Sequence, residues 1–318
     1  MTMKILASSA SMDSAMKLRD ALEVEMGLKP KTILVTSKSG ACEGYDVLLR
    51  YGCGYGKLKK EPVWGNPGFV NLCIDKQATS AMLKGVVPVP EFITDKFPTK
   101  FPVLVRETLT GAQSEGIHVC HNQPEFLKFW KEGFVWTYYF EHDIEVRANV
   151  VFLEDRIETR IYRKVPMGEY TGAAEFVPGI GGADNANWLL KSPTDYPKVL
   201  ATLEKMKPAM LKAGARFVGI DMIYATDLKE YVVLEMNSGP WLTLKSADWL
   251  AAIFLKEYKP EPVIKFPVKC GEYDEELGGY GIYDQNNDTV LHIEGHVIDF
   301  DAKKVADLVV KALNSYKE

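Results

Sequence analysis

A chain of 318 residues with 47% apolar content is long enough for more than one packed unit and apolar enough to fold. A net charge of −5 over 25% charged residues excludes a general basic field for nucleic acid or an anionic membrane, so any phosphate-binding surface has to be local. The five cysteines (Cys42, Cys53, Cys73, Cys120 and Cys270) are odd in number, widely spread and free of CxxC spacing, which fits reduced thiols and a cytoplasmic location.

The opening MTMKILASSASMDSAMKLRDAL lacks the apolar core of a signal peptide, and no later run approaches the ~18 apolar residues of a membrane span. MKILASS reads as a short strand, residues 12–26 carry helical spacing at Ala15, Leu18 and Leu22, and KTILVTS and YDVLLRYG read as two more strands. Strands alternating with a helix predict a partly parallel α/β sheet. The following YGCGYGK does not match GxGxxG, and PVWGNPG succeeds it where a dinucleotide fold would place a helix, so its glycines read as turn residues.

In NLCIDKQATSAMLKGVVPVPEF, Asp75 caps a helix running to about Lys84, Gly85 closes it, and two prolines keep the exit extended. Lys76 is out of place there, because a cation in the first turn opposes the helix dipole by roughly 0.3–1 kcal/mol. Taken alone it reads as an exposed lysine that bears this cost; the functional alternative is a lysine aimed at a phosphate. FPVLVRETLTGAQSEGIHVCHN holds two short strands around a loop with Gly111 and Gly116. The spacing is that of a P-loop, but Ile117 and His118 stand where Lys and Ser/Thr are required and a strand follows, which excludes a Walker ATPase. A glycine-bearing loop between strands still folds over phosphates through its N–H groups. Arg106 lies on the opposite strand face from Val103 and Val105.

FVWTYYFEHDIEVRANVVFLEDRIETRIYRK gives an aromatic linker over residues 136–140, most simply core, and then a hairpin turning at residues 153–156. Glu145, Arg147 and Asn149 share one face of the first arm, and Glu158, Arg160 and Tyr162 share one face of the second. So dense a set of charges needs solvent or a charged ligand. Arg147 leans towards a ligand, whereas Arg160 and Arg163 suit a solvated face equally well. Residues 178–188 read as a loop, and residues 196–214 as a helix with Val199, Leu203, Met206 and Met210 on a core stripe.

ARFVGIDMIYATDLKEYVVLEMN reads as a further hairpin. With its loop over residues 226–230, Asp221 falls opposite Glu235. Glu235 and Asn237, two apart in an extended run, share that face, with Leu234 and Met236 on the other. Two facing carboxylates repel unless a cation neutralises them or one takes a proton, and Asp221, Glu235 and Asn237 form the kind of oxygen set that magnesium takes.

In order, IDKQATSAMLKGVVPVPEF, FPVLVRETLTGAQSEGIHV, EHDIEVRANVVFLEDRI and the GIDMIYA and YVVLEMNSGPWL arms resemble the successive signatures of the ATP-grasp superfamily. The resemblance is nearest to the ribosomal-protein-S6 glutamate-ligase-like (RimK-like) group, and extends to ATP-grasp proteins of bacterial viruses that favour Arg over the usual first-strand Lys. It covers roughly residues 71–250, about half the chain. It implies an α/β (α+β) ATP-grasp fold: a small N-terminal α/β pre-ATP-grasp domain (1–75), an ATP-grasp domain (76–256) whose subdomains 76–140 and 141–256 hold ATP between them, and a β-rich extension (257–318) with a final helix.

The resemblance also implies roles. Lys76 would contact the α-phosphate side, Arg106 would replace the lysine that reaches between phosphates and adenine, and Gly111 and Gly116 would bound the loop over the triphosphate. The backbone of Tyr138, Tyr139 and Phe140 would hold adenine, with Asp143 near the ribose. Arg147 would face the acyl or γ-phosphate, with Arg160 in the same catalytic set, while Asp221, Glu235 and Asn237 would bind one or two magnesium ions. Two departures stand out: Arg106 is a planar donor fork where a point charge is usual, and Tyr138 stands where the adenine linker usually has an acidic residue.

The implied activity is ATP- and Mg-dependent ligation of a carboxylate to an amine through an acyl phosphate, with small-molecule or peptide substrates; the charge balance adds the expectation of no general nucleic-acid binding and no membrane partner. The alternatives are an ATP-grasp small-molecule kinase and a nucleotide-binding protein without turnover. Beyond Lys256 the resemblance fades. GYGIYD and TVLHIEGHVIDF read as strands, so His292 and His296 are not a helical metal pair. Asp301 caps a last helix with Val305, Leu308, Val309 and Leu313 on one stripe, in a tail that would shape the acceptor site or form a homo-oligomer.

Overall fold

The computed structural model describes residues 3–39, 44–45, 47–54, 64–94, 97–108, 116–166, 176–178, 186–257, 269–274, 279–283, 289–294 and 309–311. The chain forms two compact units, Met1–Leu255 and Lys256–Glu318.

The first unit opens with strands β1 (Met3–Ala7), β2 (Leu34–Thr36) and β3 (Val47–Tyr51), which pair in the order β2-β1-β3. Both pairings are parallel, so this sheet is wholly parallel. Helix α1 (Met12–Glu25) packs on it, burying Ala15, Leu18 and Leu22 at the expected spacing. The expectation that no helix follows the glycine-rich turn is corrected, because α2 (Pro67–Ile74) begins just after PVWGN. The Asn66 side chain accepts from the Gly68 N–H at 2.8 Å, and Pro67 fills the first turn, where its missing N–H costs nothing. Helix α3 (Lys76–Leu83) starts on Asp75, whose carboxylate accepts from the N–H groups of Gln77 and Ala78 at 2.8 and 3.0 Å.

A small antiparallel sheet follows, β4 (Val103–Arg106), β5 (Ile117–Cys120) and β6 (Val135–Tyr138), in the order β5-β4-β6. With α4 (Gln123–Phe129) it encloses Val103, Val105, Cys120, Phe126 and Trp136. The aromatic run thus begins as a strand. Trp136 enters this core, while Tyr139 and Phe140 leave the sheet as the connection to the next one.

The central sheet holds β7 (His142–Phe152), β8 (Ile157–Pro166), β9 (Phe176–Pro178), β10 (Ala186–Lys191), β11 (Phe217–Ala225) and β12 (Glu230–Asn237), in the order β12-β11-β7-β8-β10-β9. Residues 186–188, expected in a loop, are strand: Trp188 pairs with Lys164 and is 9% exposed, because its indole packs with Tyr162. Residues 179–185 of that expected loop lie outside the described residues. One face of the sheet is apolar. Val146, Ala148, Val150, Ile220 and Met222 meet the predicted stripe of α5 (Pro197–Lys212), with Phe69 of α2 and Leu83 of α3 in the same core. The sheet's last strand leads into α6 (Leu244–Glu257).

The second unit contains an antiparallel sheet of β13 (Lys269–Asp274), β14 (Gly279–Tyr283) and β15 (Thr289–Glu294). His292 is a strand residue, as expected, and residues 309–311 are helical; His296, Asp301, Val305, Leu308 and Leu313 lie outside the described residues. Among the described residues no helix is long and apolar enough to cross a membrane.

Candidate active site

Because side chains alternate along a strand, the apolar face of the central sheet fixes what the other face carries. With Val146, Ala148 and Val150 turned into the core, Glu145, Arg147 and Asn149 of β7 turn away from it. The register extends that set across the sheet. Glu235, Asp221, Arg147, Tyr162 and Leu190 are successive cross-strand partners from β12 to β10. The next row holds Asn237, Gly219, Asn149 and Arg160.

Asp221 faces Glu235, as the hairpin arithmetic predicts, but by a different route. The turn occupies residues 226–229, so Ala225 pairs with Glu230 and Met222 with Val233. Continued unbroken, that register would set Leu234 against Asp221. A bulge displaces the pairing by one residue and restores Glu235 to the place opposite Asp221. It also corrects the expectation that Leu234 and Met236 share a side. Leu234 packs with Ile223, Ala225 and Val232, whereas Met236 enters the main core.

The two carboxylates are answered by side-chain cations. Arg147 Nε donates to Asp221 Oδ1 at 2.6 Å and Nη2 to Oδ2 at 2.7 Å, a bidentate pair. Lys76 Nζ lies 3.1 Å from Glu235 Oε2, and its side chain is only 15% exposed. The lysine that looked misplaced in a helix's first turn therefore points at β12, and its reading as an exposed residue is corrected. Arg147 also sits over the Trp188 ring at 4.9 Å, and beside it Lys164 pairs with Glu145 at 2.8 Å.

Burial works against the Arg147 charge, but Asp221, with Glu235 and Glu145 behind it, more than offsets this and holds the guanidinium above its ordinary range. Burial, followed by the neighbouring Asp221, raises the Glu235 carboxyl, with Lys76 and Arg147 opposing. Since the Glu235 side chain keeps 38% exposure, water moderates that shift. Burial lowers Arg106, and Glu235 pulls it back up. Lys76, Arg106 and Arg147 thus all act on one carboxylate.

Arg106 faces away from the small sheet's core, as expected, and its buried Nε has no hydrogen-bond partner among the described residues. A donor so placed wants an acceptor such as a phosphate oxygen. At the base of the neighbouring loop the Gly116 carbonyl accepts from the Glu107 N–H at 2.9 Å, and φ of +66° at Gly116 explains the glycine. Gly111 lies outside the described residues.

In the connection between sheets, the Tyr139 N–H donates to the Pro102 carbonyl at 3.1 Å, and Tyr138 is paired with Val103. Phe140 packs with Ile223, Ala225, Val232 and Leu234, an apolar patch on the charged face, and its carbonyl lies 2.8 Å from His142 Nδ1. Asp143 is exposed at the start of β7.

Magnesium can be tested against the donor set. Asp221, Glu235 and Asn237 offer only oxygens, the ligands this ion prefers. Asn237 Oδ1 accepts from the Gly239 N–H at 2.9 Å, and a carbonyl oxygen has a second lone pair for a cation. Among the described residues no group of three or more His, Cys, Asp or Glu could hold a metal, so a site here would be two carboxylates and an amide. The residues fit the ion.

One part of the site had no signal in the sequence. The turn after Asn237 is fastened to the N-terminal sheet: Ser11 Oγ donates to the Gly239 carbonyl at 3.3 Å, the Gly52 N–H to the Ser238 carbonyl at 3.2 Å, and the Leu242 N–H to Ser14 Oγ at 2.9 Å. The Tyr51 hydroxyl donates to the Pro240 carbonyl. A Cβ at Gly239 would lie 2.5 Å from Ser11 Oγ and 2.8 Å from Gly52 Cα, so only glycine permits the approach.

No family model matches the chain. Over 194 residues it is 27% identical to a D-alanine–D-alanine ligase of Thermotoga petrophila, an alignment covering 54% of this chain and 58% of that protein. The chain thus spans a little over half the length of the curated relatives it matches. The solved D-alanine–D-alanine ligase from Bacillus anthracis superposes with a TM-score of 0.52 at 13% identity, covering 80% of this chain and 94% of that one. A carboxyaminoimidazole ribonucleotide synthase from Aspergillus clavatus, complexed with ATP, does so with a TM-score of 0.51 at 12% identity, covering 74% and 70%. The chain shares the fold of these solved structures, the ATP-grasp fold. In this fold the Glu235–Asp221–Arg147 row lies on the charged face of the central sheet, with the small sheet's Arg106 within electrostatic reach of it.

Proposed function

We propose that the protein is an ATP- and Mg-dependent carboxylate–amine ligase that forms an amide through an acyl phosphate, of the RimK-like group and close to its bacterial-virus members. The observation that carries this reading is the row Glu235–Asp221–Arg147, with Lys76 and Arg106 converging on it. Likeness to a D-alanine–D-alanine ligase supports the bond type, and the four ordered sequence signatures support the subgroup. The substrates are small-molecule or peptide carboxylates and amines. We take residues 1–75 as the pre-ATP-grasp domain, 76–256 as the ATP-grasp domain and 257–318 as the extension. The free thiols Cys73 and Cys120, with Cys73 pushed by burial up to about 12, support a reducing, cytoplasmic setting.

Each residue has work suited to its geometry. Asp221, Glu235 and Asn237 would hold magnesium, which when bound offsets the charge on phosphate oxygens. Arg147 is fixed by Asp221 through Nε and Nη2, so Nη1 can reach a transferring phosphoryl group without breaking the pair. Lys76 and Arg106 would take the other phosphate oxygens, and by the resemblance Gly111 and Gly116 would bound the loop that closes over the triphosphate. The connection Tyr138–Tyr139–Phe140, with its apolar patch, would take the adenine, and Asp143 the ribose. Arg160 lies one row further on and is assigned to ligand binding.

The test is thermal unfolding with Mg-ATP, with Mg-GTP as control and Glu235→Gln as variant. At about 100 times its dissociation constant a ligand adds about 2.7 kcal/mol, a rise of roughly 2–4 °C for a chain of this size. A magnesium-dependent, ATP-selective rise that Glu235→Gln abolishes is the expected result. No rise at millimolar Mg-ATP sinks the reading. Phosphorylated hydroxyl products in a substrate screen would replace ligation with kinase chemistry.

A further inference from the structure

The Arg147 guanidinium is held along one edge and over one face. Along the edge, Nε and Nη2 donate to the two oxygens of Asp221 at 2.6 and 2.7 Å. Two parallel bonds fix the pairing, but a planar group bonded along one edge still swings about the line through its acceptors, and the aim of the far nitrogen, Nη1, swings with it. What limits the swing is a surface against the guanidinium plane. The Trp188 ring supplies it, its centroid 4.9 Å from Cζ and so inside the ~6 Å over which a ring face attracts a cation. Lys164 Nζ, paired with Glu145 at 2.8 Å, comes no nearer than 6.0 Å to the same ring.

The indole reaches Arg147 across two strands. Arg147 pairs with Tyr162 of β8, and Trp188 of β10 pairs with Lys164 of β8, so the contact is diagonal and needs a long, rigid side chain. The ring has little freedom of its own: it is buried, with Tyr162, Leu190 and Trp241 packed around it. Trp241 is secured in turn, since Lys17 Nζ lies 4.6 Å from its ring centroid and donates to the Leu242 carbonyl at 3.1 Å. A side chain wanted only to fill this cluster could be aliphatic, as Leu190 is. An aromatic face turned to a guanidinium that keeps 28% exposure holds a charge at the edge of solvent in one plane.

We propose that Trp188 is a positioning residue for Arg147: Asp221 fixes the edge of the guanidinium, the indole fixes its plane, and together they aim Nη1 at the terminal phosphoryl group of the nucleotide. The aim rests on the ligase reading; the hold on the guanidinium does not. An arginine already oriented loses less freedom when the phosphoryl group arrives, so the contact should act on ATP, which carries that group, and not on ADP, which lacks it.

The hold is read without ligand, from the Nε–H resonances of ¹⁵N-labelled protein, with Arg147→Met assigning the reporter. In Trp188→Leu the Arg147 Nε–H should exchange with water severalfold faster, whereas Trp188→Phe, which keeps an aromatic face, should stay near the wild type. The aim is read from calorimetric dissociation constants of Mg-ATP and Mg-ADP. Trp188→Leu should weaken Mg-ATP about three- to tenfold, the size of a partly exposed cation–π contact, and leave Mg-ADP unchanged, with most of the loss recovered in Trp188→Phe. A change that merely loosened the fold would weaken both nucleotides alike. If Trp188→Leu does not fold, Trp188→Met, closer in volume, replaces it. Unchanged Nε–H exchange in the folded variant would overturn the hold; equal losses for ATP and ADP, or a Trp188→Phe as impaired as Trp188→Leu, would overturn the aim. Failure of the ligase reading shows separately, as an Arg147→Met that leaves the preference for ATP over ADP untouched while the Nε–H response to Trp188→Leu persists.

Discussion

The two faces of the central sheet are built from the same strands and are opposites in chemistry. On one, Val146, Ala148, Val150, Phe152, Ile220 and Met222 pack against α5 with essentially no exposed surface. On the other, the neighbours of those residues carry Glu235, Asp221, Arg147, Asn149 and Arg160 in two transverse rows. The apolar face fixes the pleat and register, and the register aligns charges from four strands. Stability and the proposed binding therefore fall on alternate residues, and substitutions on the two faces should have different signatures.

The largest expected effect is on the apolar face. Phe152→Ala opens a cavity in a fully buried site and should cost about 3–5 kcal/mol in urea unfolding. At a temperature where the variant is still folded, its Mg-ATP affinity should stay near wild type; a large loss of affinity would break the division between faces. On the charged face the effect should be smaller and pairwise. Arg147→Met leaves Asp221, whose side chain is 12% exposed, without its bidentate partner. The double-mutant cycle with Asp221→Asn should show roughly 1–2 kcal/mol of coupling, less than the ~3–5 kcal/mol for breaking a fully buried pair, because Arg147 is 28% exposed. Zero coupling would mean that the pair adds nothing to folding and serves ligands alone.

Local signals recovered most of this architecture. The stripe of α5, the Asp75 cap and the alternation in β7 and β8 depend on neighbours within one or two turns, and all are legible in the chain. The opposition of Asp221 and Glu235 was legible too, although the turn is one residue shorter than the arithmetic supposed and a bulge at Leu234 makes up the difference. Such a bulge depends on what packs around it, here Ile223, Ala225 and Val232, and leaves no mark in strand periodicity. The helix at Pro67 carries a start signal in Asn66–Pro67, but the glycines before it pull the reading of the segment towards a turn. Trp188 reads as part of a glycine-rich loop because its strand partner, Lys164, is 24 residues away. Lys76 could be suspected from the helix dipole, but its partner Glu235 lies far along the chain. The clasp of Gly52 and Gly239 belongs to the same class of long-range contact, which composition cannot reveal.

The smallest effect sharpens the contrast most, because its sign differs between the faces. Burial and Asp221 raise the Glu235 carboxyl above its unfolded value, so the folded protein binds its proton more tightly than the unfolded chain does. The stability tied to that proton is fully present below the unfolded carboxyl range, near pH 4, and is lost as pH rises through the folded value. Glu235→Gln mimics the protonated group and still offers Lys76 an acceptor oxygen, so it escapes this loss. Without ligand, the variant should gain on the wild type as pH goes from about 4 to neutrality, by under about 1 kcal/mol once screening at a 38% exposed side chain is allowed for. Paired urea titrations across that range would show it. A variant less stable than wild type at neutral pH would instead make Glu235 a structural partner of Lys76. A variant as stable or more so, yet blind to Mg-ATP, would mark Glu235 as a residue kept at some cost to folding for the sake of the cation it holds.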